Sequence, residues 1–220
     1  ETALDLAQAR VETARTLWKG QANWQVIEAA DIPFAPVTPT GYLIRDTLTA
    51  RLHPRRACAA LAAAITARGG TSATEGKPRG QVIHATGTAG LEELSRAFGK
   101  TVGNGVKGQG ALLHFAAPDM SQLFADAIHI VPHADGTTAI GSTSERNWDD
   151  PVATDTQLDD VIDRAMRAVP VLHGARVIER WAGLRPRARS RAPMLGPHPL
   201  YPDQFIANGG FKIGFGMAPK

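Results

Sequence analysis

Cysteine is nearly absent from this sequence, which contains a single one, Cys58, in 220 residues. One cysteine cannot form an internal disulfide, so the sequence is unlike the small disulfide-stabilised secreted proteins, and a reducing compartment is expected. Cys58 lies in the alanine-rich run CAALAAAI, where a buried and inert thiol is expected. A disulfide framework and a cysteine nucleophile are therefore both disfavoured.

Long hydrophobic runs are also missing. No apolar stretch approaches the ~20 residues of a membrane-spanning helix. The first residues, ETALDLAQARVETARTL, contain acidic side chains and an amphipathic pattern, unlike a signal peptide. The sequence therefore predicts a soluble cytoplasmic protein with no membrane span.

Basic residues are concentrated instead of spread along the chain. The net charge is +3, and much of the excess lies between Arg180 and Arg191. The remainder lacks the interleaved basic and aromatic residues of a nucleic-acid-binding surface. Nucleic acid is therefore not an expected partner.

No convincing Ser/His/Asp triad or pair of carboxylates can be recognised in the sequence. His129 and His133 are spaced by four residues, but Pro132 and the surrounding strand pattern argue against a helical metal-binding pair. The remaining histidines are scattered. No metal site is predicted.

Several elements are predicted from periodicity and from turn residues. Apolar residues at helical spacing indicate helices over residues 2–18, 55–68, 91–98 and 154–169, with Thr154 or Asp155 available as the N-cap of the last one. Strands are expected at 41–44, 81–87 and 177–178. Asp135-Gly136 between two apolar runs, 128–132 and 138–141, predicts a β-hairpin.

The most informative stretch is RWAGLRPRARSRAPMLGPHP, which begins at Arg180. It holds Arg185 between Trp181-Ala182-Gly183 and Pro186. A guanidinium fixed in this way is suited to bind a carboxylate or phosphate through two parallel hydrogen bonds. The alternative is a solvated basic loop.

A second stretch, FIANGGFKIGFGMAP, runs from Phe205 to Pro219. It reads as a short strand, a tight turn at Asn208-Gly209-Gly210 and the start of a helix. Backbone N–H groups at such a start attract anions.

Taken in order, WAGLRP, PMLGPHP and a strand leading into GGFKIG…MAP resemble the FAD-dependent amino-acid and amine oxidases, the family of D-amino acid oxidase, glycine oxidase and sarcosine oxidase. The resemblance implies a mixed α/β fold, in which part of an FAD-binding domain is interleaved with a substrate domain built on a mixed β-sheet flanked by helices. It also implies FAD as the cofactor and a small amino acid or amine as the substrate.

The resemblance also implies roles for particular residues. Arg185 would bind the substrate carboxylate, while Lys212 would lie near the flavin and His129 would face the substrate, although an exposed lysine and a structural histidine are the alternatives for the last two. The turn at Ala85-Thr86-Gly87 resembles a second flavin-contacting element. The expected cofactor-binding residues are Ala85, Thr86, Gly87, Gly209, Gly210, Phe211, Lys212, Ile213 and Gly214.

Two features depart from a complete flavoprotein. The residues Gly103 to Gly108 match GxGxxG, but they precede a strand-like run instead of following one, so we interpret them as a glycine-rich loop and not as a dinucleotide site. The strand-GxGxxG-helix unit that opens the family is missing from these residues. The sequence is therefore interpreted as a partial chain.

The expected domains are discontinuous. Residues 1–45 and 106–186 would form the substrate domain, and residues 46–105 and 187–220 the remaining part of the FAD-binding domain. The expected activity is oxidation of the C–N bond of an amino acid or N-methyl amino acid. The alternatives are a flavin dehydrogenase with an acceptor other than oxygen, and a non-catalytic module that binds an acidic ligand through Arg180–Arg191.

Overall fold

Helices and strands alternate along the chain in the structure, a computed structural model that describes residues 3–218. The helices are α1 (Ala3–Trp18), α2 (Pro54–Ala67), α3 (Gly87–Ala97), α4 (Thr156–Ala168) and α5 (Gly214–Met217). The strands are β1 (Trp24–Glu28), β2 (Tyr42–Asp46), β3 (Ile83–His84), β4 (Gly103–His114), β5 (Leu123–Ala125), β6 (Ile128–Pro132), β7 (Thr137–Gly141), β8 (Arg176–Ala188), β9 (Met194–Pro197) and β10 (Phe205–Asn208). This is the mixed α/β class expected from the sequence.

These elements form two units, each assembled from three segments of the chain. The first unit contains the residues up to Leu61, Ala111–Gly141 and Asp159–Glu179. The second contains Ala62–Gly110, Ser142–Leu158 and the residues from Arg180 onward. The division falls inside α2, α4, β4 and β8. The domain boundaries expected from the sequence stay a prediction.

Antiparallel pairing organises the first unit. Strand β1 pairs with β2, with Trp24 opposite Asp46. Strands β5, β6 and β7 are successive antiparallel neighbours, and Ile130 in β6 lies opposite Ile140 in β7. Both isoleucines are buried, as are Val161 and Ala165 of α4. Alternate residues of a strand share a face, so the buried face of β6 carries Ile128 and Ile130.

The second unit contains a three-stranded sheet of order β3-β10-β9. Strand β10 is parallel to β3 and antiparallel to β9, with Asn208 opposite Met194. A parallel pair needs a crossover connection, and α3 begins directly after β3. Leu91 and Leu94 on α3 are almost fully buried. The 180–188 part of β8 neighbours β4 in another sheet.

Most predictions about secondary structure are confirmed. Helices α1, α2 and α4 occupy the expected stretches, and the hairpin forms with Gly136 at a φ of +82°. Asp155 caps α4, since its Oδ1 accepts a hydrogen bond from the N–H of Gln157 at 2.9 Å. Helix α3 begins at Gly87, four residues before the expected start at Leu91, and the strand expected over 81–87 is limited to β3.

Two expectations are wrong. The glycine-rich residues 103–108 are not a loop but the first half of β4. Strand β8 approaches this half so closely that a Cβ atom at 103, 105 or 108 would clash with it. Cys58 is exposed and not buried, because α2 buries none of its residues within the described part of the chain. Within residues 3–218, no helix has the length and apolar character needed to cross a bilayer.

Candidate active site

Arg185 lies in the second half of β8 and is half-buried. Its Nη1 donates hydrogen bonds to the backbone carbonyl oxygens of Lys107 at 3.4 Å and Thr143 at 3.3 Å. Its Nη2 donates to Ser142 Oγ at 2.6 Å. Burial lowers the pKa of Arg185, and the nearby carboxylate of Glu145 opposes this. Because the ordinary pKa of arginine is above about 12, the guanidinium stays charged near neutral pH.

The guanidinium lies directly over the backbone of Gly108 in β4. A Cβ atom added to Gly108 would lie 2.0 Å from Nη2 and 2.1 Å from Nη1 of Arg185. Glycine in a strand interior often marks such a close approach. Arg185 can therefore occupy this position only because residue 108 is glycine.

A buried polar network holds the segment that carries Ser142 and Thr143, which accept hydrogen bonds from Arg185. Gln109 is fully buried, and its Nε2 donates to Glu145 Oε1 at 3.0 Å and to Asp155 Oδ1 at 2.9 Å. Its Oε1 accepts from the backbone N–H of Asp155 at 2.9 Å. The hydrogen bond from Gln109 is the main cause that lowers the pKa of Asp155.

Lys107 joins this network from the same face of β4. It is only 3% exposed, and its Nζ lies 3.6 Å from Glu145 Oε2 and 3.7 Å from Asp155 Oδ2. The backbones of Lys107 and Glu145 also exchange two hydrogen bonds of 2.9 Å. The same Lys107 carbonyl oxygen accepts from Arg185, so the network is connected to the guanidinium. Nothing in the sequence alone singles out these residues, although Lys107 and Gln109 alternate along a strand.

The two glycine turns expected to contact a flavin are joined by Asn208. Its Nδ2 donates to the carbonyl oxygen of Gly87 at 2.9 Å, and its Oδ1 accepts from the N–H of Gly209 at 2.7 Å. Gly209 has a φ of +73°, and a Cβ there would lie 2.9 Å from the Cβ of Ala188. Gly87 also has a positive φ, of +60°. Both positions therefore favour glycine; the place of a Cβ is filled by Ala188 at Gly209 and is open space at Gly87.

The rest of the second turn packs against the end of β8. The N–H of Phe211 donates to the carbonyl oxygen of Pro186 at 3.0 Å. Lys212 is exposed, with its Nζ 5.6 Å from the centre of the Phe211 ring, and the guanidinium carbon of Arg187 lies 5.9 Å from the same centre. Such distances permit cation–π attraction. Ile213 and Gly214 follow at the start of α5, while Ala85 and Thr86 are exposed just before α3.

His129 belongs to the first unit. It is exposed on β6, and its ring centre lies 4.6 Å from that of Phe124. The structure therefore places Arg185, the Ala85–Gly87 turn and the Gly209–Gly214 turn in one unit, and His129 in the other. Their roles in binding stay predictions.

We expect Asn208→Ala to weaken both the fold and cofactor retention. Asn208 is 7% exposed, and its loss would leave the Gly87 carbonyl and the Gly209 N–H without their partner, at a cost of about 1–3 kcal/mol. Urea-induced unfolding would measure the first effect, and the dissociation constant for added FAD the second. Asn147→Ala, an exposed position, serves as the control. An Asn208 variant with unchanged stability would contradict this account of the turns.

The fold and this unit define a class: an α/β protein with a half-buried arginine and two adjoining glycine turns, suited to a small anionic ligand and a cofactor. Residues 2–219 match the family described as FAD dependent oxidoreductase. The chain belongs to this family. The family and the flavin cofactor expected from the sequence are thereby confirmed.

Its relatives include two glycine oxidases. That of Pseudomonas putida is 33% identical over 115 residues, which make up 52% of this chain and 32% of the relative. That of Pseudomonas aeruginosa is 29% identical over 152 residues, 68% of this chain and 42% of the relative. The chain thus spans less than half of the length of these proteins.

Solved structures share the fold. Glycine oxidase from Bacillus cereus superposes with a TM-score of 0.73 at 16% identity, over 97% of this chain and 66% of the other. Iminodiacetate oxidase from Chelativorans sp. gives 0.75 at 20% identity, over 96% and 65%. These similarities confirm the mixed α/β fold.

Proposed function

We propose that this chain is part of an enzyme that oxidises the C–N bond of an amino acid or N-methyl amino acid, with Arg185 binding the substrate carboxylate. The observation that carries the proposal is the set of hydrogen bonds that the guanidinium makes. Its hydrogen bonds are made to two backbone carbonyls and one hydroxyl. Neutral acceptors orient the group without cancelling its charge, and a half-buried cation binds a carboxylate more strongly than an exposed one does.

The glycine turns fit the flavin. A bulky group can approach Gly87, where the place of the missing Cβ is open space, and Asn208 keeps this turn beside Gly209. The residues proposed to hold the flavin are those of the Ala85–Gly87 and Gly209–Gly214 turns, and Lys212 would add positive charge nearby. When bound, flavin supplies the acceptor for the hydride that leaves the substrate Cα. Holding the carboxylate fixes where that Cα lies.

The relatives suggest the substrate class. The two relatives described above are named glycine oxidases, so glycine and its N-methyl derivative are the first substrates to test. Arg185 would bind the carboxylate that these compounds share. His129 is proposed to face the substrate in the complete protein.

A visible absorption spectrum of the purified full-length protein tests the proposal. Flavin bands should be present, or should appear after addition of FAD, and should bleach under anaerobic conditions with amino or N-methyl amino acids. Carboxylic acids of the same size without an amine should bind without bleaching. A colourless protein that takes up no FAD would overturn the proposal in favour of a module that binds an acidic ligand.

A further inference from the structure

Two histidines and one aspartate converge in the first unit, in a cluster formed by His53, His133 and Asp135. His53 directly precedes α2, and the other two lie in the turn between β6 and β7. One ring nitrogen from each histidine and one carboxylate oxygen all lie within 4.8 Å of one another. The flavin chemistry proposed above makes no use of this cluster.

The hydrogen bonds around Thr137 define the protonation of His133. The Thr137 hydroxyl donates to Asp135 Oδ1 at 2.6 Å, since an ionised carboxylate only accepts. The Thr137 oxygen is then the acceptor for His133 Nδ1 at 3.1 Å. The proton of a neutral His133 is therefore on Nδ1, and Nε2 carries a lone pair.

That Nε2 atom is buried and makes no hydrogen bond within the described residues. His133 is 5% exposed. His53 adds a second such atom, since its Nδ1 is also buried and unpaired in the described part of the chain, while its Nε2 lies 3.6 Å from Asp135 Oδ2. A buried polar atom without a partner is costly, so a ligand that supplies a partner to His133 Nε2 would be favoured.

We propose that His53, His133 and Asp135 form a binding site for a divalent transition metal ion, with Zn²⁺ as the best fit. Two imidazoles and one carboxylate are the protein ligands of an open zinc site. Metal-binding histidines commonly donate their second N–H to an oxygen that fixes the ring. The Thr137 oxygen accepts such a hydrogen bond from His133 Nδ1, and the Thr137 hydroxyl donates to Asp135 and orients it.

Two arginines lie beside the cluster, and their positive charge opposes the binding of a cation. Arg56 Nη2 lies 2.9 Å from Asp135 Oδ2, and its side chain is 69% exposed. Arg51 donates to the backbone carbonyls of Pro132 and Pro118. A metal ion must displace Arg56 from the carboxylate, which an exposed side chain permits. It must also draw the donor atoms closer, because zinc–nitrogen bonds are about 2.0–2.1 Å long.

Zinc titration of the chelator-treated, flavin-containing full-length protein tests the proposal. One zinc ion per chain is expected to bind, with Co²⁺ giving the absorption bands of a nitrogen- and oxygen-coordinated ion. His133→Gln and His53→Gln should each abolish this binding, and Thr137→Val should weaken it by about 10–100-fold. The exposed His173 supplies the matched control, and His173→Gln should bind zinc like the unmodified protein.

Arg56→Gln gives a result in the opposite direction. Removing the competing guanidinium should tighten zinc binding by about two- to five-fold, the value of an exposed ion pair. Circular dichroism verifies that each variant folds. If His133→Gln does not fold, zinc binding by His53→Gln tests the proposal. Zinc binding that neither histidine variant reduces, or no binding at micromolar zinc, would overturn the proposal.

Discussion

Replacing Arg185 by methionine should lower kcat/KM for an amino-acid substrate by about 10²–10³-fold. The expected size follows from the loss of a charged hydrogen-bonding partner in a partly desolvated site, about 3–4 kcal/mol. Methionine retains most of the stem that packs in β8 and removes the group that we propose to bind the carboxylate. Steady-state kinetics on the full-length enzyme would measure the effect.

The neighbouring arginine Arg189 provides the control. It is exposed just beyond β8, so Arg189→Met removes the same charge without affecting the proposed contact. Its kcat/KM should stay within a few-fold of the unmodified enzyme. Flavin absorption should be unchanged in both variants, which separates substrate binding from cofactor loss. An Arg185 variant that is as active as the Arg189 variant would contradict the carboxylate-binding role.

Gly108→Ala tests the same arginine without altering it. The added Cβ would occupy the space of the guanidinium, so Arg185 must move away from Ser142 and the two carbonyls. We expect this variant to reproduce a large part of the loss in kcat/KM. Gly183 in β8 is the matched control, because a Cβ there meets nothing within 4 Å. Equal activity of the two alanine variants would show that the position of the guanidinium does not matter.

The sequence predicted the elements that depend on local pattern. Helix α4 follows from its apolar spacing and the Asp155 cap, and the β6–β7 hairpin follows from Asp135-Gly136 between apolar runs. The order of short motifs around Arg185 was enough to indicate the family. Each of these signals is contained within about one element, where propensity and periodicity act directly.

Contacts between distant parts of the chain could not be predicted in this way. Glycines 103, 105 and 108 look like a loop in the sequence, but they lie in β4, where the close approach of β8 leaves no room for a Cβ atom. Charged residues such as Lys107 and Glu145 are normally exposed, so a pattern-based prediction places them at the surface. Their burial depends on partners that are far away in the sequence.

Replacing Lys107 by methionine should lower the free energy of unfolding by about 3–5 kcal/mol. Methionine has a similar length and leaves little cavity, so the loss comes from charge. Glu145 would stay buried at 9% exposure, held by Gln109 and Thr143 but without the ammonium group that lies 3.6 Å away. Asp155 is more exposed and would be solvated by water. Urea-induced unfolding followed by circular dichroism measures the change.

A double variant separates charge from packing. Glu145→Gln keeps an oxygen that can accept from Gln109 and Thr143, so Lys107→Met with Glu145→Gln should recover more than half of the lost stability. Lys100→Met, on an exposed lysine, should change stability by less than about 0.5 kcal/mol. A Lys107 variant that loses less than about 1 kcal/mol would mean that the pair behaves like a surface ion pair.

The Lys107 variant should also affect substrate binding. The Lys107 carbonyl oxygen accepts a hydrogen bond from Arg185, so a less firmly held segment orients the guanidinium less well. A folded Lys107 variant should therefore show a raised KM.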